Sequence, residues 1–182
     1  MQVSILLVLC ALCVVAQVPS EKSGAASDQT KVDPKLHADV VRLVELDGAR
    51  ERMRSGLKPL IENGKNVMMR TCNCDPAFGD EWAKRMLART NLDDYVNVIV
   101  RAYEKYLSDD EILQLLTLIE KKNTQPASPS PHLKEKLAAI MPSLQSEIMG
   151  GSTQVGSKLG AEIGQEIGKE HPEYFKQPAQ AK

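Results

Sequence analysis

The chain has 182 residues, which suits one ordinary domain with a tail. Its 23 Lys and Arg against 24 Asp and Glu leave a formal charge of −1, which argues against a nucleic-acid binder that works through a strong basic field. Apolar residues at 42% and charged residues at 26% argue against wholesale disorder, and aromatics at only 4% leave the core to Leu, Ile, Val, Met and Ala.

No charged side chain occurs in residues 1–20, and Ile5 to Ala16 is an unbroken apolar run. The run is shorter than the ~20 residues a membrane span needs. Val14 and Ala16 occupy the −3 and −1 positions of a signal-peptidase site, so residues 1–16 are expected to be a cleaved secretory signal. The exported chain then carries Cys72 and Cys74 as its cysteines, in an oxidising compartment. Residues 17–33 are small and polar without periodicity and read as a flexible leader.

Pro34 opens the first helical pattern, with Leu36, Val40, Leu43, Val44 and Leu46 at helical spacing and Asp47-Gly48 as its stop. A second helix is predicted from about 49 to 69, its apolar side formed by Met53, Leu57, Leu60, Ile61 and Met68, with Pro59 and Gly64 expected to kink or split it. Thr71 to Gly79 reads as a loop, followed by a short helix over about 80–89 carrying Trp82, Met86 and Leu87. Asn91 is the expected N-cap of a helix ending near Tyr106. Ser108-Asp109-Asp110-Glu111 forms a capping box opening a helix to about Lys122. The proline-rich stretch 123–131 reads as a linker, and Ser130-Pro131 as the N-cap and first residue of the next helix. That helix is expected to kink near Pro142 and to break at Gly150-Gly151, before a last helical pattern that ends near Lys169. Residues 171–182 are expected to be a disordered tail. The predicted fold is all-α, a single-domain bundle of six or seven short helices over residues 34–170, around one core.

The most specific local feature is a ridge of small residues at every fourth position: Ser152, Gly156, Gly160, Gly164 and Gly168. Each step of four advances only ~40° around a helix, so these residues form one slanting line. Glycine costs ~1 kcal/mol against alanine inside a helix. Something must compensate, and the expectation is close backbone approach by a neighbouring helix. The neighbour belongs either to the same bundle or to another chain; Lys158, Glu162 and Glu166 interrupt the segment and argue against membrane insertion.

Cys72-Asn73-Cys74 admits a local disulfide, a bond between chains, or metal binding. His37, His132 and His171 stand singly, with no ligand spacing to the cysteine pair, so no metal or other cofactor is expected. No HExxH, GxSxG or nucleotide-binding glycine loop occurs, and no catalytic residue is assigned.

Tyr103-Glu-Lys-Tyr-Leu-Ser108-Asp-Asp-Glu111-Ile, the Ser-Pro pairs at 128–131 and Lys134-Glu-Lys-Leu-Ala-Ala-Ile-Met-Pro142 together resemble the DUF2059 family. Leu43-Val-Glu-Leu-Asp-Gly48-Ala resembles that family's first helix and its glycine stop. The resemblance covers about residues 36–168 and implies an exported helical domain with no catalytic residues to carry over. The expected function is that of a secreted or periplasmic, non-enzymatic helical protein acting through packing surfaces, alone or as a homo-oligomer or with a protein partner. The alternatives are a carrier of an apolar ligand or a protein that binds lipid surfaces, and, third, thiol-disulfide exchange at Cys72 and Cys74. Neither a nucleic-acid partner nor a membrane span after signal removal is expected.

Overall fold

The computed structural model describes residues 33–121 and 128–175. The export segment 1–16, the leader up to residue 32, most of the linker and the tail beyond 175 lie outside the described residues. Among the described residues there are six α-helices and no strands, so the chain is an all-α bundle. The helices are α1 (Pro34–Leu46), α2 (Ala49–Thr71), α3 (Pro76–Arg89), α4 (Leu92–Tyr106), α5 (Asp109–Lys121) and α6 (Pro131–Glu170), followed by a 3-10 turn at Pro172–Phe175.

Capping explains most of these boundaries. Asp33 accepts from the Lys35 N–H ahead of Pro34, and Gly48 turns the chain between α1 and α2 at φ +71°, a conformation that favours glycine. Helix α3 begins at Pro76, four residues earlier than predicted, within the stretch read as a loop. The reason is local: Asp75 accepts from the Ala77 N–H, and proline at the first helical position is already set at a helical φ. Asn91 caps α4 as expected.

The split predicted at Pro59 and Gly64 and the break predicted at Gly150-Gly151 do not occur. Helix α2 runs unbroken through Pro59 and Gly64, and α6 runs unbroken through Pro142 and Gly150-Gly151, so it is 40 residues long rather than two short helices. Packing supplies the reason at two glycines. A Cβ on Gly151 would lie 2.6 Å from Val98 Cγ1 of α4, and one on Gly64 would lie 3.6 Å from the Trp82 ring. The missing side chains let neighbouring helices close over the backbone, which offsets the cost of glycine there.

The buried residues form two clusters rather than one core. The first joins Val40, Leu43 and Val44 of α1, Val96, Ile99 and Val100 of α4, Ile112, Leu115 and Leu116 of α5, and Leu133 at the start of α6. The second joins Ile61 of α2, Phe78, Ala83 and Met86 of α3, and Ile163 and Ile167 near the end of α6. Helix α6 contributes fully buried residues to both, so it is the spine of the molecule.

Glu111 ties α5 to this spine. Its carboxylate accepts from the Ser108 N–H at 2.7 Å, the capping-box bond, and from Lys136 Nζ of α6 at 2.6 Å. Burial pushes its pKa up, but the hydrogen bonds from Lys136 and Ser108 outweigh burial and hold the group below its ordinary value. A carboxylate with a depressed folded pKa adds stability above its unfolded value of ~4.3 and loses it as pH falls through the folded one. Glu111→Gln is therefore expected to reduce stability near neutral pH and to flatten the acid limb of the stability profile. Urea titrations at a series of pH values check this; an acid limb as steep as in the parent chain would refute it.

Candidate functional site

The ridge of α6 faces inward. Ser152 and Gly156 to Gly168 are half-buried, and Ile163 and Ile167 beside them are fully buried. What covers the glycines is not the backbone of another helix but a row of aromatic rings. A Cβ on Gly156 would lie 3.3 Å from the Tyr95 hydroxyl, one on Gly160 3.1 Å from Trp82 Cζ2, one on Gly164 3.9 Å from Phe78 Cζ, and one on Gly168 3.5 Å from Phe175 Cε2. The expectation of two helix backbones nearly touching is thus corrected: Gly160, Gly164 and Gly168 each seat a ring, and Gly156 meets the Tyr95 hydroxyl. A flat ring presents a large apolar face and needs the groove that a missing Cβ leaves.

Trp82 makes the tightest of these contacts. Its ring lies between Gly64 of α2 and Gly160 of α6, and its Nε1–H donates to the Gly160 carbonyl at 3.0 Å. Three helices therefore meet at one side chain. The Phe78–Trp82 spacing of four along α3 matches, in reverse, the Gly164–Gly160 spacing on α6. That register was present in the sequence as an aromatic pair opposite a glycine pair. Ion pairs lie along the outer edge of the same seam: Arg85 makes a two-pronged contact with Glu170, at 3.2 and 2.6 Å, and Arg89 reaches Glu166 at 2.5 Å. Glu170 and then Glu81 hold the Arg85 guanidinium above its ordinary pKa.

Cys72 and Cys74 are joined by a disulfide at the corner between α2 and α3, with Cα atoms 5.3 Å apart. Both are half-buried and pack against the second cluster, as does Tyr174 of the C-terminal turn. Residues 171–175, read as the start of a disordered tail, instead fold back here. The Asp75 N–H donates to the Tyr174 carbonyl at 2.9 Å, and the Phe175 ring meets Phe78 edge-on with centroids 4.9 Å apart. His171 stacks on Tyr174 and hydrogen-bonds Glu173 at 3.0 Å. His37 pairs with Glu104 at 2.6 Å, far from the cysteines in the fold, and His132 is exposed.

Two open grooves are present, one of about 480 Å³ between α2 and α3 that includes Lys65, Asp80 and Leu87, and one of about 390 Å³ between α4 and α6 that includes Tyr95, Arg101 and Lys158. Both carry charged side chains of each sign. Burial raises the Tyr95 pKa, with a contribution from Asp94. Among the described residues no group of three or more His, Cys, Asp or Glu is placed to hold a metal ion. No described helix is long and apolar enough to cross a membrane.

The outer face of α2 carries a feature that apolar periodicity misread. Leu60 was placed on the apolar side of the helix, but it is 39% exposed, as Val67 is at 36%. With Gly56, Pro59, Asn63 and Asn66, all exposed, they occupy one arc of ~120° around the helix. This strip bears no charge. It is bounded by Arg52, which is paired with Asp47, and by Arg70. The available signal was the run of uncharged residues at 55–56, 59–60, 63 and 66–67 in a chain otherwise rich in charge.

No protein family, curated protein or solved structure matches this chain.

Proposed function

We propose that the chain is an exported, non-enzymatic helical protein that acts through its packing surfaces, and that the outer face of α2 is the contact between two copies of it. The uncharged strip at Gly56, Pro59, Leu60, Asn63, Asn66 and Val67 carries this reading, because two apolar side chains stand exposed there among neutral neighbours. A neutral face can meet its own copy without like-charge repulsion. A two-fold axis at Asn63 lays Leu60 and Val67 of the two copies side by side. It also sets Arg70 of each copy over Gly56 of the other, where the space beside the backbone is open. The apolar segment at 5–16 supports export, and the resemblance to the DUF2059 family supports an exported helical domain without catalytic residues.

One helix face of about three turns buries less than the ~800 Å² per partner of a standard interface, so association is expected in the micromolar range. Sedimentation equilibrium across that range tests it. The expected result is a concentration-dependent shift from monomer to dimer that Leu60→Lys/Val67→Lys abolishes, with the melting temperature of the monomer unchanged because both sites are exposed. A single monomeric mass at every concentration, or a dimer that the double substitution leaves intact, would overturn the assignment of this face.

A further inference from the structure

We propose that the Cys72–Cys74 disulfide is a redox-controlled latch that holds the C-terminal turn Pro172–Phe175 against α3 and the end of the glycine ridge, and that its reduction by a dithiol releases the turn and uncovers Phe78.

Four observations converge on this corner. The disulfide closes the segment between the last residue of α2, Thr71, and the N-cap of α3, Asp75. The Asp75 N–H is the backbone donor to the turn, bonding the Tyr174 carbonyl at 2.9 Å. The donor lies in the peptide plane that Cys74 shares with Asp75, so the bond at Cys74 restricts its position together with the α3 cap. Other holds on the turn include Phe175 edge-on to Phe78, the same ring seated over Gly168, and Tyr174 packed against the second cluster. Phe175 is itself 43% exposed, so its ring covers Phe78 while being only partly covered in return. Phe78 beneath it is 5% exposed. The turn thus lies on the outside of the second cluster, and its backbone anchor at Asp75 stands next to the cysteine pair. Segments of this kind open locally at less cost than the packed helices do.

The chemistry is ordinary exchange. A thiolate of the dithiol attacks one sulfur of the pair, the S–S bond breaks, and the departing cysteine takes up a proton. The second thiol of the reductant, as thiolate, then displaces the mixed disulfide. Two electrons and two protons end on Cys72 and Cys74, and the dithiol leaves as its own disulfide. With the bond gone, the Cys72–Asn73–Cys74 backbone regains its freedom and only the α3 cap holds the Asp75 N–H toward Tyr174. The surface uncovered is Phe78 with the bare backbone at Gly164 and Gly168, an aromatic and glycine groove at the end of α6.

Amide hydrogen exchange on the whole exported chain, oxidised and after dithiothreitol, tests the latch, with mass spectrometry confirming that both thiols are free. Reduction is expected to speed exchange at Asp75 and over residues 173–175 by about tenfold, while amides in α4 and α5 keep their protection. The proposal is overturned if the reduced chain retains protection at Asp75, or if every helix loses protection together, because the bond is then a staple of the whole fold. It is equally overturned if dithiothreitol leaves the pair bonded, or if the two cysteines are already free as isolated.

Discussion

Trp82→Ala is expected to lower the unfolding free energy by ~3–4 kcal/mol, the cost of removing a large aromatic side chain from a packed site. The ring fills the space between Gly64 and Gly160 and donates its N–H to the Gly160 carbonyl, so its loss leaves both glycine backbones uncovered and one donor–acceptor pair broken. In a domain of this size the melting temperature should fall by ~10 °C. Gly160→Leu attacks the same contact from the other side. Even a Cβ at 160 would stand 3.1 Å from Trp82 Cζ2, and a longer side chain must displace the indole. Overpacking of that kind costs ~1–3 kcal/mol, against a gain of ~1 kcal/mol in helix propensity. Combining the two is the sharper measurement. Gly160→Leu in the Trp82→Ala background places side-chain volume where the ring was, so the pair should cost clearly less than the sum of the single substitutions. Strict additivity in urea unfolding would mean that the indole and Gly160 do not share a packed site.

Ile163→Ala is expected to cost ~2–5 kcal/mol, because the side chain is fully buried in the second cluster. The informative result is where the loss appears. The first cluster contains α1, α4 and α5, which share no buried residue with Ile163, yet Leu133 of the same helix is buried there. If α6 works as one rigid spine, unfolding the second cluster frays the helix that closes the first, and both should melt together. Tryptophan fluorescence reports on the second cluster through Trp82, and circular dichroism reports on the whole bundle. The two transitions should shift to lower urea by the same amount and remain superimposed. A fluorescence transition that moves alone would show that the two clusters unfold independently.

The helices were legible where local chemistry decides. Asp33-Pro34, Asn91, Ser108 with Glu111, and Ser130-Pro131 are cap sequences whose polar groups satisfy neighbouring backbone donors without help from the rest of the fold. The early start of α3 at Pro76 was legible by the same rule and was hidden by the density of turn residues around it. Breaks read from Pro59, Gly64 and Gly150-Gly151 failed for a different reason. Helix-breaking tendency is a cost of ~1 kcal/mol for glycine and ~3 for proline, and buried contacts along a long helix exceed it. At Gly64 and Gly151 the structure identifies such contacts, the Trp82 ring and Val98.

The ridge divides along the same line. The step of four at Ser152, Gly156, Gly160, Gly164 and Gly168 follows from the 3.6-residue repeat alone and requires something to lie against one slanting line of α6. Which atoms lie there depends on how the chain folds over α6, and the tertiary packing answers it with Tyr95, Trp82 and Phe78 from earlier helices and with Phe175 from the turn just beyond, rather than with a second backbone. The exposure of Leu60 and the folded-back turn at 172–175 belong to the same class. By itself the sequence determined the helical class, most of the caps and the line of bare backbone, because each depends on groups within a few residues of one another. Partners, burial and the path of the C-terminus were decided only by the tertiary structure, because they depend on which surfaces distant segments present when the chain closes on itself.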